Sequence, residues 1–219
     1  IINIAKKIIK SKKINNFKNL DKIYNNLTKE SLNFSIEIIK NNLDDLGIKH
    51  DNFIYESKLI KNESVSKTIK KLQKDNYVYE GNLQSPRGEP SKKWKARKQL
   101  LFASTKFGDD TDRALQKEDK TWTYFASDIA YHAHKIDRNF DILINILGAD
   151  HSGYIKRIVA AVKAISQDKI NLVCKVSQLV KLFKKGKPFK MSKRKGDYIT
   201  AEDLIKEVGK DSVRFMMLN

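Results

Sequence analysis

Residues 141–165, DILINILGADHSGYIKRIVAAVKAI, narrow the possible folds more than any other stretch of the chain. Ile142 to Leu147 form a mostly apolar run that predicts a β-strand buried on both faces, as in a parallel sheet covered by helices. Gly148 interrupts the run, and Ile155, Ile158, Val159, Val162 and Ile165 then recur at helical spacing. The preceding TWTYFASDIAYHAHKI, residues 121–136, predicts a short strand that becomes a helix near Ser127. Strand, helix, strand and helix in that order imply parallel strands joined by crossovers, hence an α/β fold. INLVCKVSQLVKLF, residues 170–183, contains a further strand.

In an open parallel sheet, ligands sit beyond the carboxyl ends of the strands. GADHSGY occupies that place and offers Gly148, Asp150 and His151. No companion His or carboxylate stands at ligand spacing from Asp150 and His151, so no metal site is expected. Tyr124 and Asp128 are four residues apart at the predicted strand-to-helix junction. Two readings stand side by side: Ser127 or Asp128 caps the helix, or a phenol and a carboxylate converge on a planar cation. DNFIYES, residues 51–57, predicts a short strand with Glu56 at its end.

The rest of the chain divides into helical and polar stretches. Residues 1–48 read as helical, with Gly47 as the stop, and Ile60, Val65, Ile69 and Leu72 mark another amphipathic run. Residues 77–98 read as a loop or insertion, in which Trp94 either stacks on a base or covers a domain edge. QLLFAST, residues 99–105, predicts a strand, the adjacent Asp109 and Asp110 a solvated turn, and Thr200 and Asp211 helix starts.

With 219 residues, 40% of them hydrophobic, the chain can build one sizeable core or two small ones. Its 44 Lys and Arg against 26 Asp and Glu leave a formal charge of +18, which attracts polyanions such as nucleic acid. The same surplus also fits the Lys, Asn and Ile bias of AT-rich coding sequence. Cys174 is the only cysteine, which excludes a disulfide framework and a Cys-based zinc site and fits a reducing cytoplasm. No apolar run reaches the roughly 18 residues of a membrane span. The first residue is Ile1 rather than Met, so a piece of a longer protein is expected.

KPFKMSKRKG, residues 187–196, gathers Lys187, Lys190, Lys193, Arg194 and Lys195 between Pro188 and Gly196. Such a loop is either a solvated basic turn or a polyphosphate site, where positive charge meets the negative charge of a leaving phosphate. KMSKR resembles the second signature loop of class I aminoacyl-tRNA synthetases, usually KMSKS, with Arg194 in place of Ser. The following GDYITAEDLIKEVGKDSVRFMML is similar to the continuation in arginyl-tRNA synthetases, and YFASDIAYH and GADHSGY resemble their pocket segments.

The resemblance implies a Rossmann-like parallel sheet with flanking helices, the second half of a synthetase catalytic domain. It further implies a helical segment over 1–50, the nucleotide-binding fold over 51–199 and helices over 200–219 leading to an anticodon-binding domain. The HIGH signature of the class does not occur in the chain, so an internal fragment is expected. By the resemblance Lys190 and Lys193 are catalytic at the phosphates, and Met191, Ser192, Gly148, Asp150 and His151 contact ATP. Glu56, Tyr124, Asp128 and His132 recognise arginine. The implied partners are arginine, ATP with Mg2+, and tRNA(Arg), in a cytoplasmic ligase read as a monomer. Two rivals stand: another class I synthetase, and a basic RNA-binding module without catalysis.

Overall fold

The computed structural model describes residues 2–12, 19–83, 97–184, 186–189 and 199–218. Trp94 and the signature-loop residues Lys190, Met191, Ser192 and Lys193 lie outside them. Along the chain come α1 (Ile2–Lys12), α2 (Leu20–Asp45), α3 (Glu56–Lys61), α4 (Ser64–Lys74), β1 (Val78–Asn82), β2 (Lys98–Phe102) and β3 (Arg113–Ala114). They are followed by α5 (Tyr124–Ile136), β4 (Leu143–Gly148), α6 (Ile155–Ser166), β5 (Leu172–Ser177), β6 (Leu182–Lys184), β7 (Lys187–Phe189), α7 (Ala201–Val208) and α8 (Lys210–Leu218). Two compact units result, one of residues 54–179 and one of residues 1–53 with 180–219.

The unit of residues 54–179 holds the α/β fold. β4 and β5 pair in parallel from Leu143 opposite Leu172 to Gly148 opposite Ser177, with α6 as the crossover between them. Helix α6 buries Ile158, Val162 and Ile165 together with Ala160, Ala161 and Ala164, whose short side chains allow close approach of neighbouring elements. Val65, Ile69 and Leu72 of α4, at positions i, i+4 and i+7, meet Phe125 and Ile129 of α5 and Phe102 of β2 in the same core. Burial of these side chains supplies most of the unit's folding free energy.

Several expectations need correction. Strand β4 is covered on one face only: Leu143 is buried, whereas Ile144 is 55% and Ile146 67% exposed. The run is apolar throughout, but among the described residues of this unit the helical layer meets the side of Leu143 alone. Residues 51–55 form no strand, and Glu56 begins α3. Part of the predicted loop is a strand, because β1 pairs antiparallel with β2 and β2 with β3 in a three-stranded sheet. The strand expected before α5 is reduced to a single antiparallel bridge between Gln116 and Trp122.

The solvated turn at Asp109 is also overturned. Its carboxylate is fully buried and accepts hydrogen bonds from Arg113 Nε and Nη2, each at 2.7 Å, from Ser104 Oγ at 2.7 Å and from the Asp110 amide at 2.8 Å. Asp112 fastens the same loop by accepting from Tyr79 OH at 2.5 Å and from the amide and hydroxyl of Thr105. Asp110 alone stays at the surface, paired with Lys156.

In the other unit, α1 packs on α2 and α7 on α8. Gly47, at φ +68°, ends α2 in the left-handed conformation that a Cβ disfavours, as the sequence predicts. Arg214 Nη1 donates to the Leu46 carbonyl just before it. Strands β6 and β7 form a hairpin turned at Gly186, φ +72°. Thr200 caps α7 in a capping box with Asp203, as expected. Asp211, expected as the cap, lies instead within the first turn of α8, which starts at Lys210. No helix among the described residues is long and apolar enough to cross a membrane.

Candidate active site

The site is built on the first two turns of α5. Thr123 caps this helix, its Oγ1 accepting from the Ala126 amide at 3.3 Å, so the helix begins at Tyr124 and neither Ser127 nor Asp128 is a cap. Tyr124, Ser127, Asp128 and Tyr131 therefore stand at i, i+3, i+4 and i+7 on one helical face. With Ile54, Glu56 and Leu59 they line a cleft of about 250 Å³. Two carboxylates and two phenols thus share one recess. Tyr124 is 77% exposed, and Lys117 Nζ lies 5.7 Å from its ring centroid.

Asp128 also borders a second cleft of about 300 Å³, lined by His132, Lys135, Asn145 and Tyr154 among others. Tyr154 OH donates to Asp128 Oδ2. Burial, with that hydrogen bond and the charge of Asp128, pushes the Tyr154 phenol far up, so it remains a protonated donor. His132 is buried. Its Nδ1 donates to the Asp128 carbonyl at 2.8 Å, so Nε2 accepts from Asn145 Nδ2 at 3.0 Å. Lys135 Nζ donates to Asn145 Oδ1 at 2.7 Å. Burial holds the His132 imidazole below its ordinary range, which keeps it neutral, and burial likewise lowers the Lys135 ammonium. Both ring nitrogens of His132 are engaged within the protein, so it lines the second cleft and braces α5 behind Asp128.

Sequence reasoning does not single out Tyr154, Asn145 or Lys135. Two of them carry a signal: Asn145 is the one polar residue between Ile142 and Leu147, and Tyr154 closes the GADHSGY segment. Asn145→Ala would leave buried His132 Nε2 without its donor. It is expected to cost about 1–3 kcal/mol of stability, read as a lowered thermal unfolding midpoint.

Gly148, Asp150 and His151 stand at the carboxyl end of β4, where Ala149–Tyr154 form a 3-10 turn. Asp150 Oδ2 lies 3.6 Å from His151 Nε2, with both side chains well exposed. A Cβ at Gly148 would meet Asp150 Oδ1 at 2.5 Å, so a glycine there lets the carboxylate fold back over the strand end. These three residues line neither of the two clefts around Asp128.

No family model matches the chain. An arginine-tRNA ligase of Pelagibacter ubique is 60% identical over 219 residues, covering 100% of this chain and 38% of the relative. A crystal structure of a Campylobacter jejuni protein assigned as an arginyl-tRNA synthetase aligns with a TM-score of 0.79 and 30% identity, over 99% of this chain and 43% of that one. The arginyl-tRNA synthetase of Thermus thermophilus shares the fold at a TM-score of 0.58 and 14% identity, over 94% of this chain and 38% of its own. The chain thus spans well under half the length of these relatives. With identity at this level along its whole length and a shared α/β architecture, the chain belongs to the arginyl-tRNA synthetase family, as a portion of the ligase.

Proposed function

We propose that the chain supplies the arginine-recognition part of an arginine-tRNA ligase. In such a ligase the carboxylate of arginine attacks the α-phosphorus of ATP, pyrophosphate leaves, and the arginyl group passes to the 3′ end of tRNA(Arg). The observation that carries the proposal is the single cleft lined by Glu56, Tyr124 and Asp128. A guanidinium presents donors in a planar fork, so a recess holding carboxylates beside a phenol suits it, whereas an ammonium cannot fill both sides. His132 supports this site from behind.

Gly148, Asp150 and His151 are assigned to ATP by their place at the strand end, and Lys190 and Lys193, with Met191 and Ser192 between them, to its phosphates. Magnesium enters with the nucleotide, held by phosphate oxygens and water. The surplus of +18 favours a polyanionic partner such as tRNA. The proposed setting is cytoplasmic, with the ligase acting as a monomer.

The test is ATP-pyrophosphate exchange in a ligase of full family length carrying these residues, with tRNA present. Exchange driven by arginine and not by lysine, cysteine, glutamate or citrulline supports the reading. Exchange driven equally by another amino acid, or none with any, sinks it.

A further inference from the structure

Asp128 is held by a residue that does not itself line the proposed arginine cleft. Tyr154 OH donates to its Oδ2, while Oδ1 has no hydrogen-bond donor among the described residues. Tyr154 belongs to the 3-10 turn that follows β4, and its ring is itself fixed. The Phe125 and Tyr154 rings meet edge to face, with centroids 6.2 Å apart and planes at 85°. The Arg157 guanidinium lies 4.9 Å from the Tyr154 centroid. A carboxylate on a helix can otherwise rotate about two side-chain bonds. A donor clamped by two neighbours removes that freedom before any substrate arrives.

We propose that Tyr154 is a positioning residue for arginine recognition: it fixes one oxygen of Asp128 so that the other is presented, already oriented, to the substrate's guanidinium. The inference rests on the reading of Asp128 as an arginine ligand and adds a residue and a device to it. Burial keeps the Tyr154 phenol protonated, so it stays a donor to Asp128. Tyr154 itself touches no reacting atom. Its contribution is to affinity rather than to the chemical step.

The experiment compares Tyr154→Phe with Asp128→Asn in pyrophosphate exchange by a ligase of full family length. Tyr154→Phe is expected to raise the KM for arginine by about tenfold, from one lost hydrogen bond to a charged group. The kcat at saturating arginine and the KM for ATP should stay within about twofold, the pattern of lost uniform binding. Arg157→Gln, which loosens the clamp but keeps the phenol, should raise the arginine KM by a smaller factor. An unchanged arginine KM in Tyr154→Phe, alongside a large rise in Asp128→Asn, overturns the role of Tyr154 and leaves the cleft assignment standing. An unchanged KM in both overturns the two together. Equal rises in the KM for arginine and for ATP reveal general distortion and also overturn the positioning role.

Discussion

Replacing Asp128 with Asn in a ligase of full family length is expected to raise the KM for arginine by roughly a hundredfold or more, with the KM for ATP little changed. Asn is isosteric, and its carbonyl oxygen can still accept from Tyr154, so the α5 scaffold and the brace from beyond β4 persist. What is lost is the negative charge that faces a cation in a recess partly shielded from water. Glu56 remains in the cleft as a second carboxylate, so binding is weakened rather than abolished. Discrimination against citrulline, which has the same shape without the charge, should shrink along with affinity. Steady-state exchange measured with arginine and citrulline reads both effects. A variant that binds arginine normally, or discriminates as before, would remove Asp128 from the site.

How far this site can be read in the sequence depends on how local each relation is. Tyr124 and Asp128 share a face because they are four apart on one helix, a relation that periodicity carries by itself. Glu56 lies in the same cleft although the sequence suggests a strand there, because a residue at the end of a predicted strand and one at the start of a helix occupy nearly the same point of the chain. Asn145 and Tyr154 act through contacts to α5 across the fold, 13 and 26 residues from their partners, and no local pattern announces such a contact. Strand β1 is hidden for a related reason. VYEGN pairs with KQLLF across a long polar segment, and a strand's identity rests on a partner that its own residues do not specify. Strand β4 departs from its sequence in another way. Its residues are apolar on both faces, but a sequence records the chemistry of a face and not whether anything covers it.

The loop from Ser104 to Arg113 shows the same limit and carries the largest stability prediction. Adjacent aspartates suggest a solvated turn, yet the Asp109 side chain is fully buried against Arg113, whose own side chain is 21% exposed. Removing one partner of such a pair strands the other, so Asp109→Ala is expected to destabilise the fold by about 3–5 kcal/mol. Ser104 Oγ and the Asp110 amide lose their acceptor as well. Against a typical stability of about 5–15 kcal/mol, that loss would leave the unit marginal. Replacing both partners at once, Asp109→Leu with Arg113→Met, should cost less than the single change, because no charge is left behind. Urea unfolding of the single and double variants distinguishes these outcomes. A single-variant cost below about 1 kcal/mol would mean that the pair does not hold the loop.

The pair also predicts an acid limit. Burial pushes the Asp109 carboxyl up, but the Arg113 fork, the Ser104 hydroxyl and the Asp110 amide together outweigh it and hold the group below the usual carboxylate range. A carboxyl lowered by folding contributes stability that is complete above its unfolded value of about 4 and is lost as pH falls through the lower folded value. The intact protein should therefore lose stability progressively below about pH 4, and Asp109→Ala should show a flatter acid limb over the same range. Equal slopes in the two proteins would place the acid sensitivity elsewhere, with Asp112, held low despite its own burial by Tyr79 and Thr105, as the next carboxylate to replace.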